Sequence, residues 1–241
     1  LFWIGLLLTI GMLIPLFAQR WGRSGSAAAA ALFPIAALAF ILPKVSAVFA
    51  GRVFRWEAEW IPSLGMSLGF QLDGLSLLFS TLILGIGLLV VLYARYYLSD
   101  ADRGGRFNAY LLFFMAAMLG IVLSTNLIQL WFFWELTSIS SFLLIGYWHH
   151  RSDARRGARM ALIMTGAGGL ALLGSFVLIG QTVGSYDIGH VLDNGHLVHD
   201  SGRYHVILIL LLLGAFTKSA QFPFHFWLPH AMAAPTPVSA Y

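Results

Sequence analysis

The sequence predicts an all-α, polytopic transmembrane helical bundle. Three observations predict it. Apolar residues make up 59% of the 241 residues and charged ones only 10%, against about 25% charge in an ordinary soluble domain. The apolar residues fall into blocks of the length that crosses a bilayer as a helix, about 20 residues. The arginines lie between these blocks, as membrane topology requires.

Seven spans follow in chain order. The first covers residues 1–18. The second covers 27–50, with Pro34 and Pro43 kinking or ending it, since proline lacks an N–H and clashes with the preceding turn. The third covers 74–98, with Asp73 placed to cap its first turn. The fourth covers 107–124. After a short turn at Thr125–Asn126, the fifth covers 127–148. The sixth covers 160–182. The seventh starts near His205 and runs through 206–216.

The odd-numbered loops hold nine Lys and Arg residues and the even-numbered ones four. Positive residues stay on the cytoplasmic side. The odd loops are therefore expected to be cytoplasmic and the N-terminus outside. The sixth loop carries Asp187, Asp193, Asp200 and three histidines. It reads as a solvated outer loop. Trp3, Trp21, Trp56, Trp60, Tyr96, Tyr97 and Trp148 fall near span ends, as an aromatic belt does.

Several function classes drop out. There is no cysteine, so thiolate zinc and iron–sulfur ligation are excluded here. No basic patch interleaved with aromatics suggests nucleic acid. The run Gly166-Ala167-Gly168-Gly169-Leu170-Ala171 loosely fits a dinucleotide fingerprint, but it follows no strand and lies inside a span. It reads as close helix packing. No cofactor or metal site is expected. The chain starts at Leu1 without a signal-peptide pattern and stops at Tyr241 after a Pro-rich break. The expectation is the N-terminal part of a longer subunit, one transmembrane domain over residues 1–241.

Two ionisable residues stand where charge is costly. Glu135 lies alone inside the fifth span. A carboxylate at mid-bilayer costs about 2.5–3.5 kcal/mol on insertion scales, so it must face protein or water, and such acids often mark ion paths. Lys218 ends a long apolar run and stands five residues before Pro223, which would interrupt the helix. Irregular backbone at membrane depth survives only inside protein or beside a wet cavity. Burial disfavours a charged ammonium and a nearby carboxylate favours it. At a separation of about 10 Å and an effective dielectric of about 20, two such charges interact by roughly 1.7 kcal/mol. That exceeds a tenfold change in proton affinity. The pair is therefore a candidate proton switch.

Other polar residues leave two readings each. Arg159 is either a snorkelling anchor or a partner of Glu135 from the next helix. His225 and His230, beyond the break, are either proton-path groups or polar cavity residues.

The motifs Phe133-Trp134-Glu135-Leu136-Thr137-Ser138, Phe142-Leu143-Leu144-Ile145-Gly146, Lys218-Ser219-Ala220-Gln221-Phe222-Pro223 and Ala234-Pro235-Thr236-Pro237-Val238-Ser239-Ala240 resemble the antiporter-like subunits shared by respiratory complex I, membrane-bound hydrogenases and Mrp-type cation/proton antiporters. In detail they are most similar to the large A subunit of the Mrp type. The resemblance implies a fourteen-helix core with two inverted five-helix repeats, each with a discontinuous helix. It implies that Glu135 is the fifth-helix glutamate and Lys218 the broken-helix lysine of a proton path. Arg159 falls where relatives often carry a sixth-helix lysine. The sixth-helix aspartate of some complex I relatives is missing from residues 166–169, which favours the Mrp type. The implied partners are the other Mrp subunits (B to G), membrane lipid, and transported Na+ and H+, with no nucleic acid.

The expected function is Na+/H+ antiport in a bacterial inner (plasma) membrane, by a secondary transporter rather than an enzyme. The alternative is a proton-pumping subunit of complex I or a membrane-bound hydrogenase. A third possibility is a passive scaffold with Glu135 and Lys218 as a fixed pair.

Overall fold

The computed structural model describes residues 2–61, 66–99 and 102–241. Leu1 and the side chains of Trp3 and Trp60 lie outside the described residues. The chain forms a bundle of packed helices. Helix α1 (Phe2–Phe17) passes through a 3-10 turn into α2 (Gly22–Ile41). Pro34 is accommodated within α2, whereas Pro43 sits in a 3-10 turn that leads to the short α3 (Val45–Phe49). Then come α4 (Gly74–Tyr97), α5 (Gly104–Leu123), α6 (Leu127–Ile145) and α7 (Ser152–Val183). The short α8 (Ile188–Asp193) and α9 (Gly195–His199) lead to α10 (Tyr204–Lys218). Two further short helices close the chain, α11 (Trp227–Ala231) and α12 (Thr236–Ser239).

Five helical stretches are long and apolar enough to cross a membrane: Gly22–Phe49, Gly74–Tyr97, Gly104–Leu123, Leu127–Ile145 and Ser152–Val183. Helices α1 and α10 are apolar but shorter, at 16 and 15 residues. On α4, Leu75, Leu78, Phe79, Leu82, Ile86, Leu89 and Tyr93 form an exposed apolar stripe at helical spacing. Such a stripe is ordinary against lipid or a neighbouring membrane helix. The chain is a multi-pass membrane protein.

Two local features differ from the sequence reading. The loop before α4 holds regular structure of its own. It is an antiparallel hairpin of β1 (Phe54–Ile61) and β2 (Met66–Leu72), with Phe54 opposite Leu72 and a bulge between Glu59 and Ile61. The hairpin is tied down at Gly69. The Gln129 amide accepts from the Gly69 N–H at 2.8 Å and donates to its carbonyl at 2.9 Å. The Thr125 N–H donates to the same carbonyl at 3.1 Å. A Cβ at Gly69 would overlap the Thr125 hydroxyl, so the approach needs glycine. Arg55 reaches from the hairpin to Asp187, the N-cap of α8.

Helix α7 also begins eight residues before the apolar block. Its 32 residues span about 48 Å at 1.5 Å per residue. That exceeds a hydrocarbon core of about 30 Å. The first turns, with Arg155, Arg156 and Arg159, therefore extend beyond the apolar layer. The α4 cap is as expected. Asp73 accepts from the Ser76 N–H at 2.9 Å, and the Ser76 hydroxyl accepts from the Asp73 N–H at 2.7 Å.

Candidate proton-translocation site

Helix α6 is capped by Asn126, whose side chain accepts from the N–H groups of Ile128 and Gln129. This cap fixes the helix, and its 3.6-residue period brings Trp131, Trp134, Glu135 and Ser138 towards α7 and α10. The Trp131 indole donates to the Gly169 carbonyl of α7 at 2.8 Å. Glu135 lies against the same glycine. A Cβ at Gly169 would overlap the Glu135 Oε1. The glycine run thus makes room for a carboxylate as well as for close packing. At Gly168 a Cβ would overlap the Thr217 hydroxyl of α10, and Gly214 of α10 packs on Leu172 and the Gly168 carbonyl. Glu135 Oε1 is buried and has no hydrogen-bond partner among the described protein groups.

Lys218 is the last residue of α10, where a cation suits the helix dipole. Its Nζ donates to Ser138 Oγ at 2.8 Å and lies 5.6 Å from the centroid of the Trp134 ring. Ser138 is one turn beyond Glu135 on α6. The acid and the amine are thus close neighbours, yet no ion pair joins them among the described residues.

The break lies where it was expected, and its chemistry is now specific. Ser219 leaves the helix and Ala220 adopts a left-handed φ of 51°. The Gln221 N–H closes the turn on the Phe216 carbonyl at 2.9 Å. This is the arrangement that usually takes glycine at the left-handed residue; alanine there costs about 1–2 kcal/mol. The Thr217 carbonyl, freed by the break, accepts from the Trp227 indole at 2.9 Å. The chain resumes as a 3-10 turn (Phe224–Phe226) and then α11.

Lys218 forms part of the wall of a cavity of about 280 Å³. Thr137, Ser138, Ser141, Thr165 and Tyr241 supply other polar groups, and Phe114, Leu144 and Trp227 supply apolar ones. Such a cavity can hold water between hydroxyls, which need two to four polar partners per molecule.

The other sequence candidates lie apart. Arg159 is exposed at the basic end of α7. It is ten residues from Gly169, or about 15 Å along the axis, so it is not brought to Glu135. Of its two readings, this placement favours the anchor. His225 and His230 are exposed. His225 stacks on Phe222, and the His230 carbonyl lies against Gly157 of α7. Neither lines the cavity, although their neighbours Trp227 and Leu228 do. Sequence reasoning missed Ser138, Trp227 and the role of Gly169. Ser138 carried a signal, since it stands one turn from a lone buried acid.

A family profile described as "NADH:quinone oxidoreductase/Mrp antiporter, TM" matches residues 124–241. A second, described as "NADH-Ubiquinone oxidoreductase (complex I), chain 5 N-terminus", matches residues 60–108. Among curated relatives, the A/B subunit of a probable K(+)/H(+) antiporter from Rhizobium meliloti is 54% identical over 96% of this chain and 23% of its own length. The A subunit of a Na(+)/H(+) antiporter from Alkalihalophilus pseudofirmus is 46% identical over 96% of this chain and 29% of its own. The chain thus spans about a quarter of the length of these relatives. An Mrp complex structure from Dietzia superposes with a TM-score of 0.83 at 32% identity, covering 98% of this chain and 26% of the other. An archaeal respiratory membrane complex, a sulfane sulfur reductase, shares the fold with a TM-score of 0.81 at 20% identity, covering 98% of this chain and 48% of the other. The two profiles, the identities and the shared architecture agree: the chain belongs to the family of antiporter-like membrane subunits common to NADH:quinone oxidoreductases and Mrp antiporters.

Proposed function

We propose that this chain is the front part of a subunit of a multisubunit cation/proton antiporter in a bacterial inner membrane, exchanging Na+ for H+ as a secondary transporter. Its arginine-rich side faces the cytoplasm. Lys218 carries the proton, and Glu135 adjusts its affinity through their separation. The partners are the other subunits of an Mrp-type complex. One observation carries the reading. Lys218 stands at a helix break, in the wall of a hydroxyl-lined cavity, held by Ser138 and close to Glu135 without an ion pair.

A close ion pair favours the charged ammonium and so opposes loss of its proton. A lysine held by a neutral hydroxyl can gain and lose one as water and carboxylate move relative to it. The antiporters to which these relatives belong support antiport, one named for potassium and the other for sodium. The redox-complex alternative has the fold likeness to the sulfur reductase in its favour, and that likeness concerns architecture alone.

The test is Lys218→Ala in the full-length protein, assembled with its partners, in everted vesicles energised by respiration. Addition of NaCl or KCl to the wild type should collapse the proton gradient, and the more effective salt names the cation. The variant should assemble and show no exchange. Near-normal exchange by an assembled variant would falsify the role of Lys218. Full exchange in Glu135→Gln/Lys218→Met would favour the scaffold reading instead.

A further inference from the structure

A second cavity, of about 360 Å³, lies between the start of α5, the end of α6 and the start of α7. Arg106, Arg155, Arg159 and His149 line it, together with Phe142 and Leu143. Arg155 and Arg159 are four residues apart and share one helix face. No carboxylate lines this cavity among the described residues. Arg106 Nε donates to the Tyr110 hydroxyl at 2.7 Å. Arg155 donates to the carbonyls of His149 and His150 at 2.7 and 3.2 Å, and Arg159 Nε reaches the Arg155 carbonyl at 3.4 Å. Among the described residues, the nearby acids are engaged elsewhere: Asp102 accepts from Trp148 and Ser99, and Asp153 pairs with Arg151.

We propose that this pocket binds the headgroup phosphate of an anionic phospholipid from the leaflet on the arginine-rich side. Three guanidiniums lining one cavity with no protein anion among the described residues repel one another, and a phosphate relieves that repulsion while accepting hydrogen bonds from their planar forks. The depth suits a headgroup. The exposed Tyr96 at the end of α4 and the Trp148 indole beyond α6 mark the interface on this side. The walls suit a lipid rather than a free ion, since Phe142 and Leu143 offer apolar surface for the glycerol and acyl chains. Basic pockets between helices are a recurrent solution for anionic headgroups. The inference rests on the chain being a membrane protein and not on the antiport reading.

The full-length protein in its assembled complex, stripped of lipid in detergent, provides the test. Thermal unfolding is followed while phosphatidylglycerol or phosphatidylcholine is titrated into the micelles, and retained lipid is counted by native mass spectrometry. Phosphatidylglycerol should raise the midpoint and phosphatidylcholine should not. Arg106→Gln/Arg159→Gln should weaken the apparent lipid affinity about 25-fold, at roughly fivefold per arginine, the ratio that corresponds to about 1 kcal/mol each. Arg156→Gln, exposed on the same turn but outside the cavity, should leave the affinity unchanged. Arg106→Lys/Arg159→Lys keeps the charge and should retain part of the binding, which separates recognition from misfolding. An undiminished response in the glutamine variant overturns the proposal. So does an equal response to inorganic phosphate, which would assign the pocket to a soluble anion.

Discussion

The two halves of the bundle are built on different terms. Around α1, α2, α4 and α5 the interior is mostly apolar, with Ser26, Ser76, Ser80 and Asn108 as its buried polar residues. Leu8, Ala30, Ile41, Leu84, Leu111, Leu112 and Met115 have no measurable exposure. Asn108 and Ser26 meet there in a hydrogen bond of 3.2 Å between α5 and α2. Around α6, α7 and α10 the interior carries buried hydroxyls at Thr137, Ser138, Ser140, Thr165, Ser175 and Thr217. Thr137, Ser140, Thr165 and Thr217 donate to carbonyls of their own helices three or four residues back. Polar groups at this depth are retained at an energetic cost, so their concentration beside Glu135 and Lys218 marks where the chain tolerates hydration. The apolar half holds the frame against which the polar half can change.

The comparison breaks most visibly if the apolar half can be loosened without touching transport. Leu112→Ala, at a fully buried position on α5, should destabilise the full-length protein by about 2 kcal/mol or more, the low end for a leucine truncated in a packed core. The low end applies because lipid tails are as apolar as leucine, and packing is the term that is lost. Thermal unfolding in detergent should show the loss, while exchange per assembled complex stays near the wild-type rate. A large fall in exchange at unchanged stability would show that the halves are not separable in this way.

The converse variant lies in the polar half. Gly169→Ala adds a methyl group where the Glu135 carboxylate now lies. The far end of a glutamate can swing aside, so stability should change little. The carboxylate would move by about 1 Å or more, and misplacement on that scale costs up to ~100-fold where function depends on positioned groups. Exchange should fall about tenfold. Gly166→Ala, on an open face of the same helix, serves as the control and should be silent in both measurements. Equal effects from the two substitutions would remove Gly169 from the site.

The contrast also shows what the sequence could disclose. Spans were legible because hydropathy reports lipid depth directly, and Glu135 and Lys218 stood out because charge is rare at that depth. The helical start of α7 was not legible from hydropathy, since residues 152–159 are helical but polar. The hairpin did carry a signal. Trp56, Ala58 and Trp60 alternate with Arg55, Glu57 and Glu59, and Leu68, Phe70 and Leu72 alternate with Ser67, Gly69 and Gln71, the period-2 pattern of strands. The composition argument for helices obscured it. Nothing local links Trp227 to the Thr217 carbonyl or Arg55 to Asp187. Those contacts depend on how helices distant in sequence meet.

The smallest expected effect lies at the edge of the apolar half, where it meets water. Asp73 caps α4, and its carboxylate is held by Ser76 and Gln71. Burial pushes its pKa up, but the hydrogen bonds from Ser76, Gln71 and Leu75 outweigh this and leave the group below its ordinary value. The unfolded chain therefore binds the proton more readily than the folded one. The stabilisation is complete above the ordinary aspartate value of about 3.9 and is lost as the pH falls from there through the folded value. Asp73→Ala should cost about 1 kcal/mol at neutral pH, as caps commonly do. Asp73→Asn should keep most of the cap near neutral pH, since asparagine caps about as well, and should flatten the acid limb of the stability profile. Exchange at neutral pH should be unaffected by either, because the cap belongs to the frame and lies on a different helix from Glu135 and Lys218. A shift in the pH dependence of exchange in Asp73→Asn would instead make this carboxylate part of the proton route and move the boundary between the two halves.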